Sequence, residues 1–268
     1  MCGIFGYLTY GSVVKDTDLK EILKSLAHES TVIGMDATGI AFANDKGSIE
    51  IQKAPKPAYS FKMNLCGNMP KAVIGHTRHT TQGSEKVNIN NHPFYGKAGR
   101  NVFALAHNGI LYNDEDLRQE YNFPKSKIET DSYVALQLLE QEKQLNMAAI
   151  KKMSEAVQGS FVFTMLDGSN NLYIVKGDNP VTIIHHKKLK LYLYASTDKI
   201  LASAIAASTL LYYFTPTKRN AGDIELVDID DGDIVKIDSR GKVNKGTFKQ
   251  SKFHMGFYDW PFHGGRYS

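Results

Sequence analysis

The sequence predicts an α+β protein built from antiparallel sheets with helices packed outside them. Two observations lead there. The second half is mainly short apolar runs separated by turn signals such as Asp167-Gly168 and Gly177-Asp178. Throughout the chain, strand segments are joined by hairpins as often as by helices, which is not the alternation of a doubly wound parallel sheet. A third observation supports both. Residues 16–29 place Leu19, Ile22, Leu23 and Leu26 at helical spacing, one apolar face for laying on a sheet.

Composition sets the outer limits. A chain of 268 residues, 42% hydrophobic and 22% charged, suits one large domain or two, with a core that needs no disulfide staples. The net charge of +4 is too mild for a nucleic-acid surface, and no apolar run reaches transmembrane length. Cys2 and Cys66 make no disulfide framework, and no signal peptide is read ahead of Cys2. The expected compartment is therefore reducing and cytoplasmic, with Cys66 an idle thiol.

Taken in order, Ile4, Phe5, Tyr7 and Leu8 predict a first strand directly behind Cys2. The helix at 16–29 follows, with Asp16 or Thr17 as its cap. Gly34-Met35-Asp36-Ala37-Thr38-Gly39 is a glycine-flanked turn into a strand at 40–43, and 48–53 forms a hairpin with it around Asp45-Lys46-Gly47. A strand at 72–76 runs into the polar stretch from Thr77 to Gly83. Residues 84–100 read as loop. A strand at 102–106 then ends in His107-Asn108-Gly109, which is either a tight turn or a site. Helices are expected at 114–121, 131–143, 146–157 and 197–207. Strands are expected at 160–166, 171–176, 181–185 and 190–195, with a hairpin of 224–229 and 233–238. The segment 241–268 departs in composition: Phe253, Phe257, Tyr258, Trp260, Phe262 and Tyr267 lie among glycines and histidines without periodicity. It reads as a strip packed on the parent domain or as a docking segment.

Cys2 is the first candidate for chemistry. Removal of Met1 would leave a thiol and a free α-amine on one residue. The amine, with a reference pKa near ~8, could act as general base to its own thiol. A thiol-dependent hydrolase of a small amino-acid amide also needs an oxyanion hole, a cation for the carboxylate and an anion for the ammonium. Asn108 with the N–H of Gly109 supplies the first. Arg78 supplies the second with a planar fork, and Asp131 the third. Singly, these residues also read as a turn, a surface ion pair and a helix cap. Together they meet the needs of one reaction. A metal site made of His76, His79, His92 and His107 is disfavoured, because alternate strand residues face opposite ways and no cysteine or carboxylate spacing supports it.

These residues sit in Cys2-Gly3-Ile4-Phe5-Gly6, Gly34 to Gly39, Gly75-His76-Thr77-Arg78-His79-Thr80-Thr81-Gln82-Gly83, Asn91-His92-Pro93, His107-Asn108-Gly109-Ile110 and Glu129-Thr130-Asp131. In that order and spacing the chain resembles a class II glutamine amidotransferase (glutaminase) domain of the N-terminal-nucleophile (Ntn) hydrolase superfamily. Weaker echoes run through Gly159-Ser160, Gly177 to Pro180, Ala195 to Asp198 and Asp231-Gly232-Asp233. The resemblance implies a four-layer αββα sandwich of two stacked antiparallel sheets over residues 1–240, with 241–268 as an aromatic-rich tail. It implies attack of Cys2 on L-glutamine, a γ-glutamyl thioester, and release of ammonia without a cofactor or metal. Asn108 and Gly109 would hold the oxyanion. Arg78, with His79, Thr81 and Gln82 around it, would hold the carboxylate, and Asp131 the ammonium. The expected partner is a separate acceptor or synthetase chain that uses the ammonia, with no nucleic acid and no membrane involved.

Three departures from the family pattern stand out. His79 replaces the usual tryptophan or tyrosine after the arginine. Ile33 replaces an arginine before the Gly-x-Asp turn. Relatives often continue into a synthase or transferase domain, whereas this sequence runs only about thirty residues past the match. Two other readings stay open: an N-terminal-cysteine hydrolase of another γ-glutamyl amide, and a silent regulatory module in which Met1 is retained.

Overall fold

The computed structural model describes residues 2–65, 67–215 and 222–250. In chain order its strands are β1 (Gly3–Thr9), β2 (Ala37–Ala43), β3 (Ile49–Ala54), β4 (Ala72–Arg78), β5 (Phe94–Ala98), β6 (Asn101–Leu111), β7 (Gly159–Asp167), β8 (Leu172–Lys176), β9 (Thr182–His186), β10 (Leu191–Ala195), β11 (Ile224–Leu226), β12 (Asp233–Ile237) and β13 (Val243–Thr247). Its helices are α1 (Asp16–Glu29), α2 (Asp114–Glu120), α3 (Tyr133–Gln141), α4 (Met147–Ala156), α5 (Asp198–Ala206) and α6 (Leu211–Phe214).

The strands form two antiparallel sheets, a seven-stranded one in the order β11-β9-β10-β1-β4-β2-β3 and a six-stranded one in the order β13-β12-β8-β7-β6-β5. The sheets stack through Ile4, Leu8, Ala41 and Ile74 of the first and Ala104, Val162, Leu166 and Ile174 of the second. On the outer face of the first sheet, α1 buries Leu19, Ile22, Leu23 and Leu26, joined by Ile200 and Leu201 of α5. On the outer face of the second, α3 and α4 bury Val134, Leu136, Ile150 and Met153. The result is the four-layer αββα sandwich. Burial on both faces explains why β1, β2 and β4 read as continuous apolar or small-residue runs rather than alternating ones. Each fully buried Ile or Leu contributes about 2 kcal/mol to this stacking.

Several elements differ from the sequence expectation. β4 continues through Thr77 and Arg78, and β6 continues through His107-Asn108-Gly109 to Leu111, so Asn108-Gly109 is strand and not a tight turn. β5 lies in the stretch read as loop; its alternating burial completes the edge of the second sheet. β11 and β12 are not a hairpin. β11 pairs with β9 in one sheet and β12 with β8 in the other, so the segment between them crosses from sheet to sheet. α1 starts after Lys15 without a side-chain cap; Asp16 instead accepts the Met69 N–H at 3.2 Å. Within 241–268, β13 pairs with β12 and Phe248 joins the α3/α4 core, so residues 243–248 belong to the sandwich. Cys66 and the aromatic residues from Phe253 onward lie outside the described residues.

Candidate active site

β1 is the centre of the first sheet, between β10 and β4, and Cys2 stands immediately before it. Register pairs Gly3 with Thr77, so the residues that follow Thr77 end beside Cys2. The Cys2 Sγ lies 3.5 Å from the His79 carbonyl oxygen. From the other sheet, Asn108 of β6 reaches across, and its Oδ1 accepts the Cys2 backbone N–H at 3.1 Å. Fixing Oδ1 on Cys2 leaves the Asn108 Nδ2 as the donor for anything bound in front of the thiol. Both residues are buried. Burial pushes the Cys2 thiol up, and the nearby Arg78 guanidinium opposes that shift. Cys2 is therefore a thiol at rest that requires a base to ionise it.

Gly109 follows with φ +150°, and a Cβ there would sit 1.8 Å from the Ser160 carbonyl oxygen. Only glycine fits. The pairing of β6 with β5 stops at Leu105 opposite Phe94, so residues 106–111 have one open edge. Asp131 closes the same region: its Oδ2 accepts the Leu111 N–H at 2.6 Å, and its Oδ1 accepts the Ser132 N–H at 2.7 Å and the Ser132 Oγ–H at 3.1 Å. Behind it, the His107 Nδ1 lies 2.7 Å from the Ser132 Oγ.

Arg78 is buried at the end of β4. Its Nη1 donates to Asn91 Oδ1 at 2.7 Å, and its Nη2 donates to the carbonyls of Gln82 and Gly83 at 2.6 and 2.8 Å. The guanidinium thus holds the 79–83 loop inward. The side chains of His79, Thr81 and Gln82 are exposed, and it is the backbone of His79 and Gln82 that turns to Cys2 and Arg78. His79 sits 3.9 Å from Asp36, whose Oδ2 also accepts the Thr80 N–H at 2.7 Å, and this ties the loop to the turn before β2. Ile33 packs into the apolar layer under α1.

The structure thus brings Cys2, Arg78, Asn108, Gly109 and Asp131 together. Asn91, Ser132 and Asn179 also belong to this network. Asn91 and Asn179 lie in matched stretches of the sequence, but their polar atoms point at other residues of the site, which spacing cannot reveal. Between the sheets, His92 packs 4.3 Å from the rings of both His76 and Phe94. Burial lowers all three histidines of this layer: His76 to about 3, with His92 and His107 also below their usual value. Neither ring nitrogen of His92 has a hydrogen-bond partner. Among the described residues, no group of three histidine, cysteine or acidic side chains is placed to hold a metal ion, and no helix is long and apolar enough to cross a membrane.

Comparison with known proteins bears on this arrangement. Residues 76–203 match the model of a glutamine amidotransferase domain family. The glutamine–fructose-6-phosphate aminotransferase (isomerizing) of Bacillus subtilis strain 168 is 33% identical over 190 residues, covering 68% of this chain and 30% of that protein. Its namesake from Staphylococcus aureus strain N315 is 32% identical over the same shares. The chain therefore spans about 30% of the length of these curated relatives. Among solved structures, the B. subtilis glutamine phosphoribosylpyrophosphate amidotransferase with ADP and GMP superposes with a TM-score of 0.69 at 19% identity, over 93% of this chain and 50% of that one.

Proposed function

The chain belongs to the class II glutamine amidotransferases of Ntn-hydrolase fold, and from that premise we propose that it hydrolyses L-glutamine at Cys2 and hands the ammonia to an acceptor. The observation that carries this reading is the Asn108 Oδ1 on the Cys2 nitrogen, beside a glycine that no other residue can replace. With Met1 removed, that nitrogen is the α-amine, held at the thiol by Asn108. The amine takes the thiol proton, and the thiolate adds to the side-chain amide carbon of glutamine. The Asn108 Nδ2 and the Gly109 N–H stabilise the oxyanion. As the intermediate collapses, the amine returns the proton to the departing nitrogen. Ammonia leaves and a γ-glutamyl thioester remains. Water, deprotonated by the same amine, then releases glutamate and restores the thiol.

Arg78 binds the α-carboxylate and Asp131 the α-ammonium. The three carbonyl and amide oxygens now on Arg78 make it a site that opens on binding: the carboxylate replaces the Gln82 and Gly83 carbonyls, and the 79–83 loop, with His79, Thr81 and Gln82, re-seats over the substrate. Free ammonia is mostly protonated at neutral pH, so an acceptor enzyme docked on this chain gains by taking it directly. We place that acceptor on a separate chain.

Intact mass before and after treatment with a diazo-ketone analogue of glutamine tests the reading. Loss of one methionine followed by a single adduct on Cys2 is expected. Retention of Met1, or an unlabelled Cys2 after its removal, overturns it. Preference for a larger γ-glutamyl amide over glutamine in a substrate screen would move the assignment to that class. Truncation after Gln250, which spares β13 and Phe248, is expected to leave hydrolysis intact and to uncouple it from an acceptor's product formation.

A further inference from the structure

We infer that Asn179, which has no part in the reaction proposed above, is a positioning residue that aims the Gly109 N–H at the oxyanion; the inference rests on the glutaminase reading. The backbone of Phe161 sets the geometry. Its N–H donates to Asp178 Oδ1 at 3.2 Å and its carbonyl accepts the Gly177 N–H at 2.9 Å, so both face the β8 side of β7. Phe161 is the register partner of Gly109. In an antiparallel ladder such a pair exchanges no hydrogen bonds. Gly109 therefore turns its N–H toward the edge that β5 leaves open, and the neighbouring Asn108 turns its carbonyl toward β7.

The Asn108 carbonyl and the Gly109 N–H belong to one planar trans peptide and point in opposite directions. Whatever fixes the carbonyl fixes the N–H. Asn179 does this: its Nδ2 donates to the Asn108 oxygen at 2.9 Å. The Asn179 Oδ1 accepts the Ser160 Oγ–H at 2.8 Å, which sets which end of the amide faces Asn108. Asn108 and Asn179 are both buried, where a hydrogen bond is stronger and polarises the peptide it lands on. Donation to the carbonyl makes the N–H at the other end of the same peptide a better donor. The Asn108 carbonyl also faces its register partner Val162 across the ladder, so Asn179 adds a second, side-chain anchor to a peptide that the strand pairing already orients.

The test uses the full processed chain with Asn179→Ala and the near-isosteric Asn179→Asp, which removes the donor. The loss of one hydrogen bond acting only in the transition state predicts a fall in kcat of about tenfold with KM within about twofold. An aldehyde analogue of glutamine, which forms a thiohemiacetal on Cys2, binds about tenfold more weakly, whereas inhibition by glutamate is unchanged. The Gly109 amide proton resonance moves upfield. Ser160→Ala, which frees the Asn179 amide to rotate, shows the same pattern at about threefold and keeps the test available if the Asn179 variants do not fold. Unchanged kcat, aldehyde affinity and Gly109 resonance overturn the inference. So does a parallel loss of kcat, KM, glutamate binding and melting temperature, which marks a purely structural role. An inactive wild-type enzyme that takes no label at Cys2 overturns the glutaminase reading and this inference with it; an active wild type with indifferent variants overturns this inference alone.

Discussion

At its N-terminal end β1 delivers Cys2 into a buried site; at its C-terminal end Thr9 lines a cleft of about 920 Å³, with Asp16, Asp45, Glu50 and Lys71 around it. Seven strand residues, roughly 20 Å, separate the two. The cleft has volume and charge, and the turn at its rim is held by local bonds. Asn44 accepts from Lys46 and Ser48 and donates to Glu50, all within six residues. At the other end the bonds run between elements far apart in sequence: Asn108 to Cys2 over 106 residues, Asn179 to Asn108 over 71, and Asp131 to Leu111 over 20. Every one of these groups is buried. Cavity size does not mark the chemistry here. What marks it is a set of desolvated groups held at fixed angles by distant parts of the chain, where each bond is stronger than it would be in water.

The comparison breaks most sharply at Cys2. Cys2→Ser is expected to lower glutamine hydrolysis by at least about 1,000-fold with an unchanged melting temperature, measured by coupled glutamate release. Asn108→Ala follows at about 100- to 1,000-fold in kcat, the range for one lost oxyanion donor. Gly109→Ala differs in kind: its Cβ meets the Ser160 carbonyl, so activity and stability fall together, the latter by at least about 2 kcal/mol in denaturant unfolding. Arg78→Lys loses the planar fork and is expected to raise KM by about 10- to 100-fold with a smaller effect on kcat.

Acid sharpens the same contrast. A histidine whose folded pKa lies below its unfolded value takes up its proton more readily in the unfolded chain. The stability it contributes is complete above the unfolded value near ~6.5 and is lost as the pH falls toward the folded one. For His76 that window runs down to about 3, and His92 and His107 act in the same direction. Stability is expected to fall below pH 6.5 by up to about 1.4 kcal/mol per pH unit for each histidine. His92→Phe is expected to flatten this slope by one proton without loss of stability at neutral pH, because a ring with two unpaired nitrogens is replaced by an apolar one between His76 and Phe94. An unchanged slope in pH-dependent denaturant unfolding would refute it.

The layers were legible from turn signals and helical spacing because those are local. The site was legible in its residue types: Cys2, Arg78, Asn108-Gly109 and Asp131 each carry one function a hydrolase needs. Their setting was not. Asn108-Gly109 has the composition of a hairpin turn, and only the long pairing of β6 with β7 keeps it extended. Arg78 reads as free to meet a carboxylate, yet three of its donor bonds go to Asn91, Gln82 and Gly83. The stretch at 224–238 alternates like one hairpin, although its halves enter different sheets, a choice made by tertiary packing rather than by local pattern. Asn179 lies in the weak family echo from Gly177 to Pro180, but its role gave no signal, because a side chain that works through another residue's carbonyl leaves no spacing to read.

The smallest expected effect lies at the far end of β1. Asp45 sits in the turn between β2 and β3 and lines the cleft. β2 passes from that turn to Ala37, which pairs with Arg78, so the strand is a direct mechanical path between the two ends. If the path transmitted strain, a change at the turn would move KM through the Arg78 loop. The strand, however, is buried along its whole length and paired on both sides, leaving it no second arrangement to adopt. Asp45→Ala is therefore expected to change kcat and KM by less than about twofold and stability by under about 0.5 kcal/mol. A tenfold shift in KM would show that the cleft and the glutamine site are coupled, and the two ends of β1 would have to be treated as one device.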